Sequence, residues 1–225
     1  MRLFCSLVLL ATWSVSAQTP TSVRPVVRAN GDASISITPD QARIHVSVLT
    51  QASSALDAAS QNASTTAIVI AQLTQTLGGS GTVQTVSYSV TANYTYPQGA
   101  PPVLTGYTVT NSLEVVLNDL TLSGKVIDTA VQAGVTRIDN LQFTLKDDSA
   151  ARNQALRAAT QKAKSKADAM AASLGLKLGN VLVIQESGAA VSTLTTTPTN
   201  FAATPILPGT LNVTGNVTIE IEINP

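Results

Sequence analysis

The chain has 225 residues, 13 basic against 13 acidic side chains, one histidine and one cysteine. A neutral balance gives no electrostatic case for nucleic acid, and a lone cysteine excludes an internal disulfide framework and a Cys-ligated metal. Length and an apolar content of 44% suffice for one large domain or two small ones without staples.

Met1-Arg2, an apolar run over 3–15 and the small-residue pattern Val15-Ser16-Ala17 predict a secretory signal peptide over 1–17, cleaved after Ala17. The run is shorter than the ~20 residues of a spanning helix. No later stretch comes close to that length, so residues 18–225 are expected to be soluble, without a transmembrane segment, and periplasmic or secreted. Cys5 leaves with the leader and precedes its apolar run, the wrong place for a lipid anchor. Loss of Arg2 lowers the basic count by one, for a mature net charge near −1.

Residues 26–37 and 43–50 alternate apolar and polar, with Ile44, Val46 and Val48 on one face, and Thr38-Pro39-Asp40 supplies a turn. An antiparallel hairpin is predicted. Ser54 and Asp57 form a capping-box variant before a helix whose stripe reads Leu56, Ala59, Ala63, Ala67, Ile70, Leu73 and Leu77, stopped by Gly78-Gly79. Two long β-like runs, 82–96 and 103–118, flank Pro97-Gln98-Gly99-Ala100-Pro101-Pro102 and predict a long hairpin. Asn118 or Asp119 then caps a helix that buries Leu122, Val126, Ile127 and Ala130 and ends at Gly134.

A strand over 137–145 leads to a helix over 148–174, capped by Asp148 or Ser149 and closed by Gly175. Its inward stripe is Leu156, Ala159, Ala163, Ala167, Met170 and Leu174, and its lysines and arginines border that stripe as a solvated face. A strand follows over 181–188. Residues 187–209, rich in Thr, Ala and Pro, show neither period and read as a mobile loop. Residues 210–223 alternate again as a closing strand, with a bulge at Gly215. The order β-β-α-β-β-α-β-α-β-β gives an α+β class, antiparallel sheet with helices packed on it.

Side chains for common chemistry are sparse. His45 lies on the polar face of its strand and has no His or Cys companions, so a surface residue is expected and no metal site. No G-x-S-x-G elbow occurs. Helix capping accounts for Asp147 and Asp148, and Glu220 and Glu222 read as the outward face of a terminal strand more readily than as a paired acid site. The glycine-rich run 78–81 follows a helix and precedes a strand, the reverse of a phosphate loop. Asn62, Asn93, Asn212 and Asn216 begin glycosylation-type tripeptides that are expected to be unused. Tyr88, Tyr94 and Tyr96 share parity on one strand, and Tyr107 begins the facing one. They suit half-buried sheet packing or a contact surface for a glycan, a peptide or another copy of the chain.

Four stretches carry a family resemblance: G-Y-T-V-T-N-S-L-E-V from Gly106, F-T-L-K-D-D from Phe143, R-N-Q-A-L-R-A-A from Arg152 and S-L-G-L-K-L-G-N-V from Ser173. Together they resemble the SIMPL domain family, whose bacterial members are mostly exported envelope proteins linked to immunogenicity and oxidative-stress defence. The opening from Ala29 also resembles the family's first strand and turn, with Asn30-Gly31-Asp32 in place of the more usual Gly-Glu-Gly. The resemblance implies a periplasmic protein and supplies no catalytic residue and no cofactor.

The leading expectation is a non-enzymatic envelope protein acting through protein contacts, self-association included, with the four tyrosines as its surface. The second is a binding module for an envelope glycan or peptide through the tyrosine hairpin and its loop Pro97–Pro102; the third is an enzyme using a carboxylate pair such as Asp147 and Asp148. After processing only Met170 is oxidisable sulfur, so any protection from oxidants is expected to be indirect.

Overall fold

A computed structural model describes residues 24–196 and 208–224; the predicted signal peptide lies outside them. The elements are β1 (Val26–Ile37), β2 (Gln41–Ala52), α1 (Ala55–Leu77), β3 (Gly81–Thr95), β4 (Val103–Leu117), α2 (Ser123–Gln132), β5 (Arg137–Thr144), α3 (Ser149–Ser173), β6 (Lys177–Ser192), β7 (Leu194–Thr196) and β8 (Leu211–Asn224). The order matches the α+β expectation, with β7 in addition. All pairings are antiparallel.

The strands form two sheets: β1-β8-β6 in one and β3-β4-β2-β5-β7 in the other. The predicted β1–β2 hairpin is therefore absent. β1 pairs with β8 along its whole length, whereas β2 sits between β4 and β5. Alternation specifies a strand but not its partner, and residues 38–40 serve as the crossing from one sheet to the other. Asp40 pins that crossing: its N–H donates to the Thr144 carbonyl at 3.2 Å, and its Oδ1 accepts from Lys146 N at 2.7 Å.

In the five-stranded sheet, Ile44, Val46, Leu113, Val115, Leu117, Leu141 and Phe143 meet Val69, Leu73 and Leu77 of α1 and Val126, Ile127 and Ala130 of α2. Ser54 caps α1 as expected, accepting from Asp57 N at 3.1 Å. Leu73 and Leu77 are buried as predicted, but before them the inward stripe is one residue off: Ala58, Asn62, Thr66 and Val69 are buried, and Leu56 is exposed. Polar bonds decide this rotation. Asn62 is fully buried and its Nδ2 donates to the Val48 and Val109 carbonyls at 2.9 and 3.4 Å, while Thr66 Oγ1 donates to Asn62 Oδ1. That burial leaves no space for a glycan at Asn62.

The three-stranded sheet packs on α3 through an unbroken alanine row, Ala151, Ala155, Ala159, Ala163, Ala167 and Ala171. This is the i±4 ridge, inclined by about 26° to a helix axis, so contact follows the twist of the sheet. Met170 and Leu174, predicted inward from an average period, fall off the ridge and are exposed. Opposite the ridge stand Ala29, Gly31 and Ala33 of β1 and Val213, Gly215 and Val217 of β8. Small residues on both sides bring helix and sheet into backbone contact.

The stretch expected as a loop over 187–209 is strand through most of its first half: Ser187–Ser192 end β6, and Leu194–Thr196 form β7 against Leu141–Phe143. Residues 197–207 lie outside the described part. β8 supplies a distant partner along β6, which outweighs the weak local pattern of Gly188-Ala-Ala-Val-Ser192.

Candidate interaction surface

Sequence predicts that Tyr88, Tyr94, Tyr96 and Tyr107 gather on the β3–β4 hairpin, and the register shows how they lie. Val90 pairs with Val109, Ala92 with Tyr107 and Tyr94 with Leu104, so Tyr88, Val90, Ala92 and Tyr94 share the sheet face that carries the helices. Coverage stops short of the outer ones. β2 ends at Ala52, opposite Tyr107, and α1 starts at Ala55, so Tyr94 and Tyr96 lie beyond any third strand or helix layer among the described residues, whereas Tyr88 and Val90, opposite Asn111 and Val109, are level with β2 and owe their exposure to the edge position of β3. Tyr88 is 53% exposed, Tyr94 49% and Tyr96 77%, while Tyr107, nearest the body, is half-buried. Val86, Val90, Val103 and Leu104 are exposed beside them.

The result is an aromatic and aliphatic band along the outermost strand. β3 ends the five-stranded sheet, and among the described residues its outer backbone edge has no partner strand. Bulges interrupt its pairing between Thr85 and Ser87 and again after Asn93, leaving a regular edge between them. Asn93 holds the second irregularity, donating from Nδ2 to Thr108 Oγ1 at 2.8 Å while its carbonyl accepts from Thr105 Oγ1 at 3.0 Å. A half-exposed tyrosine offers apolar area with a free hydroxyl, the combination favoured at contact surfaces.

The opposite sheet face carries a polar row that sequence reasoning missed. Glu114 is 7% exposed; it accepts from Gln84 Nε2 at 2.7 Å and pairs with Arg43 at 3.3 Å, with His45 Nε2 at 3.5 Å. His45 is thus partly covered by a cross-strand acid and is less free than its strand parity suggested. The next pair along, Ser47 and Ser112, are 3.0 Å apart, and Ser47 Oγ donates to Asp139 Oδ2 at 2.7 Å. Only the register of β4 on β2, His45 opposite Glu114, brings these distant residues together.

Several other carboxylates have structural duties. Asp148 stands at the N-cap of α3 but makes no side-chain cap bond there; Asp147, one residue earlier, supplies it, its Oδ1 accepting from Ser149 N at 2.9 Å, and hydrogen bonds from the Ser149 hydroxyl and backbone hold its carboxyl below the usual range. Asp148 makes an ion pair with Arg152 at 2.7 Å. Asp119 caps the turn before α2 through Thr121, whose side-chain and backbone hydrogen bonds lower its pKa. Glu220 and Glu222 pair with Arg28 and Arg24 across the β1–β8 ladder. Among the described residues no group of three or more His, Cys, Asp or Glu side chains could hold a metal, and no helix is long and apolar enough to cross a membrane.

Two curated relatives align with most of the chain. The 26 kDa periplasmic immunogenic proteins of Brucella melitensis and Brucella abortus are each 28% identical over 191 residues, covering 81% of this chain and 76% of theirs. The SIMPL family model, described as a protein of unknown function (DUF541), matches residues 27–221, from the first residues of β1 into the last strand. With α1, α2, α3 and nearly all of both described sheets inside that span, the chain belongs to the SIMPL family.

Proposed function

We propose that this chain is an exported, periplasmic protein of the cell envelope that works without catalysis, through protein contacts that include self-association, with the β3–β4 hairpin as the contact surface. The observation that carries the reading is the band of Tyr88, Val90, Tyr94 and Leu104 lying beside a strand edge that has no partner among the described residues. A solitary protein gains nothing from keeping such a band in water. The periplasmic Brucella relatives support the compartment. Any part in oxidative-stress defence is indirect, because the mature chain holds a single methionine and no cysteine.

Light scattering coupled to size-exclusion chromatography of residues 18–225 tests this. The expected result is a discrete multimer across a wide concentration range, reduced in mass by Tyr94→Ser with Leu104→Ser while the unfolding midpoint stays put. A monomer at every concentration would overturn self-association. It would turn attention to the hairpin as a module for an envelope glycan or peptide, for which Tyr94→Ala with Tyr96→Ala must abolish ligand capture.

A further inference from the structure

The helix layer over the three-stranded sheet is incomplete. α3 lies against β1 and β8, its Lys166 reaching the Asn30 carbonyl and Asp32 on one side. On the other side Arg152 donates to the Ala189 carbonyl of β6, but among the described residues nothing covers the stretch of β6 from Val181 to Ile184. Val181 and Ile184, whose partners Ile221 and Ile219 are buried under α3, are 54% and 64% exposed. Between Val181 and the helix flank lies a cavity of about 570 Å³. It is walled by Lys164, Asp168, Ala171 and Ala172 of α3, the turn at Leu176, Lys177, Leu178, Gly179 and Val181 of β6, and Ile221 of β8.

We infer that this cavity between α3 and β6 binds a single-chain anionic amphiphile, an acyl chain bearing one carboxylate or phosphate. The volume is that of a small-molecule site. The bed is aliphatic: Leu176, Leu178, Val181 and Ile221, continued by Ile184 along the strand. Lys164 and Lys177 frame it against the single Asp168, a net positive mouth, and neither lysine is in an ion pair among the described residues. An acyl chain suits this bed better than a peptide does. The hydrogen bonds of β6 run sideways to β8, so a peptide lying on the strand's face would leave its own N–H and C=O groups unpaired.

Calorimetric titration of residues 18–225 with sodium laurate and with dodecyl phosphate, below their micellar concentrations, tests the assignment, with 1-decanol as the uncharged comparison. Saturable one-to-one binding of at least one anionic probe is expected, and the two heads separate a fatty acid from a phosphate amphiphile. Val181→Asp, at a position already half in water, should weaken binding more than tenfold. Lys164→Gln with Lys177→Gln should weaken the anionic probes by about three- to tenfold and leave decanol unchanged, the size expected for two partly exposed ion pairs. Methyl chemical shifts of Leu178 and Val181 locate the bound chain without any variant. Absence of saturable binding, binding indifferent to Val181→Asp, or shifts confined to the tyrosine hairpin would each overturn the assignment.

Discussion

Gly31 is the point where β1 and α3 come closest, and replacing it with alanine gives a prediction of defined size. A Cβ there would stand 2.5 Å from Ala163 N and nearer still to the Ala159 carbonyl oxygen. Both obstacles are backbone atoms in the middle of a 25-residue helix, so no rotamer change relieves the clash and the helix must retreat. A gap of 0.5–1 Å already forfeits roughly a quarter to a half of the dispersion energy of each contact along the ridge. Ala29, Ala33, Val217 and Ile219 lose contact together with the alanines above them. Overpacking costs about 1–3 kcal/mol in general, and an immovable backbone obstacle puts Gly31→Ala at the upper end, about 3 kcal/mol. Urea unfolding followed by far-ultraviolet circular dichroism should show the midpoint lowered by about 1–1.5 M for a slope of about 2–3 kcal/mol/M. Asn30→Ala, one residue away on the exposed face, should move it by less than about 0.5 kcal/mol. A loss below about 1 kcal/mol for Gly31→Ala, or rescue by Ala159→Gly, which removes a methyl but not the carbonyl, would refute the backbone-contact account.

Three further outcomes are expected. Asn62→Leu strands the Val48 and Val109 carbonyls and the Thr66 hydroxyl inside the core and should cost about 2–3 kcal/mol in the same urea assay, despite the apolar gain. Glu114→Leu removes the acceptor shared by Arg43 and Gln84, but both donors are exposed and water can replace it, so the cost should be about 0.5–1 kcal/mol, and Glu114→Gln, which retains an acceptor, should cost less. The folded pKa values of Asp119 and Asp147 lie below their unfolded ones. The stability these caps supply is therefore complete above the unfolded value of about 3.9 and is lost as pH falls through the lower folded values. Amide exchange at Thr121 and Ser149, corrected for its intrinsic pH dependence, should show local opening only below about pH 4, and opening already at pH 6 would contradict it.

What the sequence determined was local. Period-2 alternation places most of the strands, Ser54 and Gly78 bound α1, and the proline-rich run 97–102 turns the long hairpin, because each signal acts within a few residues of itself. The shared face of Tyr88 and Tyr94 was legible for the same reason: equal parity on one strand puts them on one side wherever that strand is placed. Tertiary structure decided what depends on distant partners. β1 and β2 carry the alternation of a hairpin yet enter different sheets, because pairing energy comes from whichever strands meet, and β8 lies far along the chain. The facing of α1 turned on two β-strand carbonyls to which Asn62 donates, and that of α3 on Gly31 and Gly215, which admit the backbone of an alanine ridge at close range. The Glu114 cluster and the α3–β6 cavity exist only where separate elements converge, so neither leaves a mark in any short stretch of sequence.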